Sequence, residues 1–247
     1  MKKLKATNLI LFLFLALNLF SCNSPDALDC LKSTGNTIQQ DVDLPAFHTI
    51  EVFDNINLVL RPEPTLGITI EAGKNIVPKI RLEVKDSVLY IRNDNSCNWV
   101  RKYKEINVFV NLSNTRTIVQ SGAGILRSAG QLDVDRLDLF VNNTGDVELS
   151  VKGNMCILTS HELSNIKIRG ELNYFNVQFG NVDGKLLAKD LKSKTIDILH
   201  EGTNTMELYP TESLTGTITG KGEVIYFNKP KKLSVSIYST GSLKEGI

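Results

Sequence analysis

The sequence predicts an all-β chain, a coiled parallel β-solenoid, on three observations. First, from Phe47 onward apolar and polar residues alternate with a period of two, as in Ile50/Val52, Leu58/Leu60, Ile68/Ile70, Ile80/Leu82/Val84, Leu89/Ile91 and Ile106/Val108/Val110/Leu112. That is the pattern of strands with one buried face. Second, no 11-residue window carries helical spacing, and Asp-Asn, Pro-Glu-Pro, Gly-Lys-Asn and Asn-Asp-Asn interrupt the runs where turns are needed. Third, a small or glycine-containing turn followed by an apolar strand recurs through the second half, at a spacing of roughly 16–24 residues.

The copies are Ser121-Gly122-Ala123-Gly124-Ile125, Asn143-Thr144-Gly145-Asp146-Val147, Phe179-Gly180-Asn181-Val182, Gly202-Thr203-Asn204, Gly220-Lys221-Gly222-Glu223-Val224 and Thr240-Gly241-Ser242-Leu243. A degenerate copy, Glu162-Leu163-Ser164-Asn165-Ile166, lies between the second and third. One such unit cannot bury its apolar face, whereas stacked units share a core. Glycine at Gly122, Gly124, Gly145, Gly180, Gly202, Gly220, Gly222 and Gly241 permits positive φ or close backbone approach at the corners. An antiparallel β-sandwich, with turn signals every 8–12 residues, is the alternative. The near-constant register between Gly-x-Gly and the next Ile or Val favours stacking.

Three regions follow. Residues 1–21 have Lys2, Lys3 and Lys5 ahead of the apolar run Leu9–Leu17, which is too short for a comfortable membrane span and fits a secretory signal. Leu19-Phe20-Ser21-Cys22 resembles a bacterial lipobox, which implies cleavage before Cys22 and its lipidation; Phe20 is bulkier than usual there. An uncleaved signal anchor is the plain alternative. Two or three fatty chains hold a protein on a bilayer stably, where one does not. Residues 22–44 read as a lipidated tether, and residues 45–247 as the β-helix domain, with its repeat half at about 116–247. Asn23 after Cys22 is compatible with the outer membrane, so the expected address is the cell envelope, lipid-anchored, facing the periplasm or the surface.

Composition narrows function. The 247 residues are 42% hydrophobic, enough for one large domain with a sizeable core. Lys+Arg 28 against Asp+Glu 27 gives a net charge of +1, which argues against a nucleic-acid partner. An oxidising compartment invites a Cys30–Cys97 disulfide, closing a loop of about 68 residues and contributing roughly 4 kcal/mol. Cys156, in Met155-Cys156-Ile157-Leu158, reads as a buried free thiol.

Val52-Phe53-Asp54-Asn55-Ile56-Asn57-Leu58-Val59-Leu60, Glu71-Ala72-Gly73-Lys74-Asn75, Cys97-Asn98-Trp99-Val100-Arg101 and the Gly-x-Gly turns together resemble the head GIN domain family over about residues 45–247. That family is described as auto-transporter adhesins and is common in lipoproteins of Bacteroidetes. The resemblance implies a right-handed β-helix shaped like the pectin-lyase-like folds, without their catalytic residues, and a role in adhesion. Here Glu162-Leu163-Ser164 lacks both glycines, and Asn143 and Asn204 stand where glycine is usual, so those corners are expected to be looser or locally different.

Candidate chemistry is sparse. His161-Glu162 and His200-Glu201 each precede a repeat turn, but at about two coils apart, roughly 10 Å, they are too distant to share a metal. His48 reads as structural. Asp133, Asp135 and Asp138 form the one tight acidic cluster, Asp146/Glu148 a second pair, and a solvated strand edge accounts for them. No serine nucleophile elbow, P-loop or dinucleotide fingerprint is present, and no cofactor or metal is expected. Trp99, with Arg101 and Tyr103, is a candidate ligand platform, although packing over an open end of the helix is the simpler role. The expectation is a non-catalytic, membrane-anchored protein whose Thr/Asn/Ser-rich faces meet a glycan or a surface protein, with oligomerisation open. A polysaccharide lyase or hydrolase on the same fold is the alternative.

Overall fold

The computed structural model describes residues 33–95, 105–112, 115–180 and 183–247. All strands belong to one 16-stranded sheet wound into a β-solenoid of about seven turns, and no α-helix occurs among the described residues. The strands are β1 (Thr37–Asp41), β2 (Thr49–Val52), β3 (Ile56–Arg61), β4 (Ile68–Gly73), β5 (Ile80–Lys85), β6 (Val88–Asn93), β7 (Ile106–Asn111) and β8 (Thr117–Gln120). They continue with β9 (Leu126–Val141), β10 (Val147–Ser160), β11 (Asn165–Phe179), β12 (Lys185–His200), β13 (Met206–Ile218), β14 (Glu223–Tyr226), β15 (Lys232–Ile237) and β16 (Ser242–Glu245). One turn of 3-10 helix, Val77–Lys79, precedes β5, with Pro78 in its first turn where a missing N–H costs nothing.

From β8 onward every pairing is parallel, so equivalent residues of successive coils stack in columns. One inward column runs Leu58, Leu126, Val147, Ile166, Leu186, Met206, Val224, Leu243. Another runs Ile118, Leu139, Leu158, Val177, Ile198. All of these except Leu243 at the chain end are buried, and the apolar columns form a single core. The alternation read from the sequence therefore becomes burial on one face, and stacking makes that burial complete.

Each long strand is bent near its middle, so that β9 to β13 each supply two walls. The first wall holds the N-terminal half of each strand and the second wall the C-terminal half. Gly153 and Gly170 mark bends, at φ +153° and +123°. A Cβ on Gly153 would collide with the carbonyl oxygen of Val134 in the preceding coil, and one on Gly170 with that of Val151. Both conformation and space demand glycine.

The N-terminal region departs from all-parallel order. β1 runs antiparallel to β4, β4 to β7, and β5 to β6. β1 lies within the stretch that reads as a tether. Four of its five residues are exposed, so its order comes from backbone pairing with β4 and leaves no apolar signal.

Candidate binding walls

The two walls share a core and differ outside. On the first wall, Asp133, Lys152, Glu171 and Lys192 occupy successive rungs, all exposed, and so alternate in sign. Glu148 sits likewise between Arg127 and Lys167. Opposite charges on facing residues stabilise each rung modestly.

On the second wall the outward rows read Arg136-Asp138-Phe140, Met155-Ile157-Thr159, Tyr174-Asn176-Gln178, Thr195-Asp197-Leu199, Ser213-Thr215-Thr217 and Lys232-Ser234-Ser236. Most are half-buried. The Asp197 carboxylate accepts hydrogen bonds from Thr215 Oγ1 (2.9 Å) and Asn176 Nδ2 (3.4 Å), one from each adjacent coil. Gln178 Nε2 donates to Asn176 Oδ1 at 3.2 Å. Between the Arg136–Asp138 row and Lys232, the four rows from β10 to β13 are neutral but for Asp197, whose carboxylate is taken up by its neighbours.

The turns join second wall to first. A Cβ at Gly122 would strike the carbonyl oxygen of Asp54, one at Gly124 that of Ile56, one at Gly145 that of Gly124, and one at Gly220 that of Gly202. Gly241 would meet Gly220 O at 2.6 Å. None of these has positive φ; close stacking of turn on turn is what requires them. Where glycine is absent, side chains take over the stitching. Asn143 Nδ2 donates to Ser121 O (2.8 Å), Asn204 Nδ2 to Asp183 O (2.9 Å), and the Ser164 hydroxyl to Asn143 O. Of the two expectations for these corners, the local difference is the one seen: side chains bond them to the preceding coil.

Two turn positions differ from the sequence reading. Gly180 is not the corner equivalent of Gly124; in that coil Gly184 precedes the inward Leu186, because the turn is one residue longer. Ile125 is 40% exposed, and Leu126 takes the core position. His48, read as structural, is exposed, with Nδ1 3.2 Å from Thr49 Oγ1 and its carbonyl accepting from the backbone N–H groups of Arg116 (2.8 Å) and Thr117 (3.2 Å). His200, which precedes a repeat turn, is fully buried.

His200 ends β12 with its ring against Phe179, centroids 6.4 Å apart in an edge-on arrangement, and Nε2 bonded across the turn to Asn204 O at 3.0 Å. Gln120 ends β8 in the same column and reaches the carbonyls of Gly122 and Gly124. Bare glycine in the next coil makes room for each: a Cβ on Gly145 would meet Gln120 Nε2, and one on Gly222 would meet His200 Nε2. Burial lowers the His200 pKa, against a raising effect of the Asn204 carbonyl. The Cys156 thiol is pushed up to about 12 by burial and by the Asp138 carboxylate. Glu223 is lowered by Lys244 beside it. Each shift has a structural cause, and none pairs an acid with a base across a cleft.

Asp133, Asp135 and Asp138 border an open groove of about 730 Å³ with His48, Arg116 and Arg136. Arg136 Nε donates to both oxygens of Asp138 at 3.0 Å. Among the described residues no group of His, Cys, Asp and Glu could hold a metal ion. Cys22, Cys30, Cys97, Trp99, Arg101 and Tyr103 lie outside the described residues.

A family model described as "Putative auto-transporter adhesin, head GIN domain" matches residues 46–230. The chain belongs to the head GIN domain family. No curated protein matches it in sequence. Solved structures share the head GIN solenoid. A "putative adhesin" from Bacteroides fragilis is 21% identical, with TM-score 0.76, covering 85% of this chain and 97% of that one. A "putative lipid binding protein" from Parabacteroides distasonis is 16% identical (TM-score 0.63, 87% and 98% covered), and a "putative adhesin" from Parabacteroides merdae 18% identical (0.57, 87% and 98%). At these identities the likeness establishes the fold of the head GIN chain.

Proposed function

We propose that this head GIN domain chain is a non-catalytic protein of the bacterial envelope, anchored by lipid at Cys22, that binds neutral glycan along its second wall. The observation that carries this reading is the wall itself. It offers closely spaced rows of hydroxyl and amide groups, with Phe140, Tyr174 and Leu199 as apolar faces among them. Short donors and acceptors beside aromatic rings suit sugars, and repetition along the coil axis suits a repeating polymer. The adhesin description of the family agrees with it. The lipobox-like Leu19-Phe20-Ser21-Cys22 supports the anchor, and outer membrane is the expected leaflet system.

The test uses the full chain, expressed in a lipoprotein-processing bacterium and purified in detergent, on a panel of immobilised neutral and acidic polysaccharides. Retention on neutral polymers without release of shortened products is the expected result. Binding confined to acidic polymers, or turnover of any of them, would overturn it. For the anchor, incorporation of an alkyne-tagged fatty acid should be lost in Cys22→Ser, which should leave the membrane fraction; equal labelling of both would remove the lipid from the account.

A further inference from the structure

The solenoid ends differently at its two extremities. β15 pairs only with β13, and its far edge of backbone N–H and C=O groups has no strand beyond it among the described residues. Its inward side chains continue the core columns: Leu233 follows Leu214, Val235 follows Gly216 and Ile237 follows Ile218. Leu214 and Ile218 are fully buried, but Leu233 is 41% and Ile237 44% exposed. At the other extremity the edge strands carry polar or charged residues within them, Gln39 and Gln40 in β1, Arg81 and Glu83 in β5. Such residues discourage edge-to-edge pairing; β15 has no charge, proline or bulge between Lys232 and Tyr238.

The sequence of this edge reads nearly the same in both directions about Val235: Lys232-Leu233-Ser234-Val235-Ser236-Ile237-Tyr238. In an antiparallel pair with a second copy, centred on Val235, Leu233 faces the partner's Ile237 and Ser234 faces the partner's Ser236. Lys232 faces the partner's Tyr238, a cation against an aromatic ring, so the lysines do not meet. The inward rows of both copies fall on one side of the new pair, and the two cores become continuous. A two-fold axis through Val235 gives such an isologous contact and closes after two chains.

We propose that the C-terminal end of the solenoid is an interface for a second copy of this chain, formed by antiparallel pairing of β15 with β15 about Val235. The dimer would present two second walls, one from each solenoid.

Register makes the proposal testable on the full chain. Residues opposed across an antiparallel pair lie about 4.5–5.5 Å apart at Cα, within reach of a disulfide, while residues two positions off the axis are beyond about 7 Å. Under mild oxidation Val235→Cys should give a covalent dimer absent from the unsubstituted chain, and Ser234→Cys should not. Sedimentation of the unsubstituted chain should show a dimer, and Val235→Lys should abolish it while leaving the thermal melt cooperative. A monomer at every concentration overturns the proposal. So does equal cross-linking at 234 and 235, or a dimer untouched by Val235→Lys, which would mean that the copies meet elsewhere or that another segment covers this end.

Discussion

The first and second walls are built from the same strands, stacked in the same register over the same core, yet their outer faces are opposites. The first carries exposed charges that alternate in sign from rung to rung, Asp133, Lys152, Glu171, Lys192. The second carries, from β10 to β13, half-buried rows that are neutral but for Asp197, tied by Asn176, Asp197 and Thr215. Since parallel stacking repeats whatever each coil places outside, a wall of like charges would repel itself along its whole length. Alternation solves this on one face and neutrality on the other.

The largest test strikes the glycine bend beside the charged column of the first wall. Gly170→Val forces a β-branched residue into positive φ against the Val151 carbonyl and should cost at least about 3 kcal/mol, read by chemical denaturation. An unchanged midpoint would show that neither the conformation nor the close approach to Val151 demands glycine there.

The turn that rejoins the walls comes next. His200→Ala leaves a cavity and an unpartnered Asn204 carbonyl, with an expected loss of about 2–4 kcal/mol. His200→Gln should recover most of it, because Gln120 fills the equivalent position. The histidine also makes stability pH-dependent. Its folded pKa lies below the unfolded value of about 6.5, so the unfolded chain binds more protons in that window. The contribution is therefore constant above about pH 6.5 and declines as pH falls below it; denaturation of His200→Gln across pH 5 to 7 should show that component removed.

Beneath the second wall, Cys156 should resist alkylation in the folded chain and react once the chain is unfolded, a difference readable by mass spectrometry. Smallest is the first wall. Lys152→Glu sets three carboxylates on successive rungs and should cost about 0.5–1 kcal/mol at low salt, diminishing as salt is added.

Much of this architecture is legible in the sequence, and the failures are instructive. Alternation at Ile50/Val52 or Ile106/Val108/Val110 reports burial directly, because one inward face is all a strand in a solenoid needs. The turns are visible through Gly122-Ala123-Gly124 and Gly220-Lys221-Gly222, where close stacking excludes a side chain. The bends are harder to see: Gly153 and Gly170 stand alone within polar-apolar alternation, although an isolated glycine in a strand is a known sign of irregularity. Gly184 is hidden by the longer turn before it, and His200 by its likeness to His161, which lies two coils earlier and is exposed. The neutral wall is least legible, since Asn176, Asp197 and Thr215 lie 21 and 18 residues apart and meet only once register is fixed.

The account turns on the second wall as the binding face. Surface plasmon resonance of the full chain over immobilised neutral polysaccharide can compare two double variants of unchanged melting temperature, Gln178→Arg with Thr217→Arg on the second wall and Lys167→Glu with Arg169→Glu on the first. A tenfold or greater loss confined to the second-wall variant is the predicted result; equal binding by both, or loss only from the first wall, would contradict it.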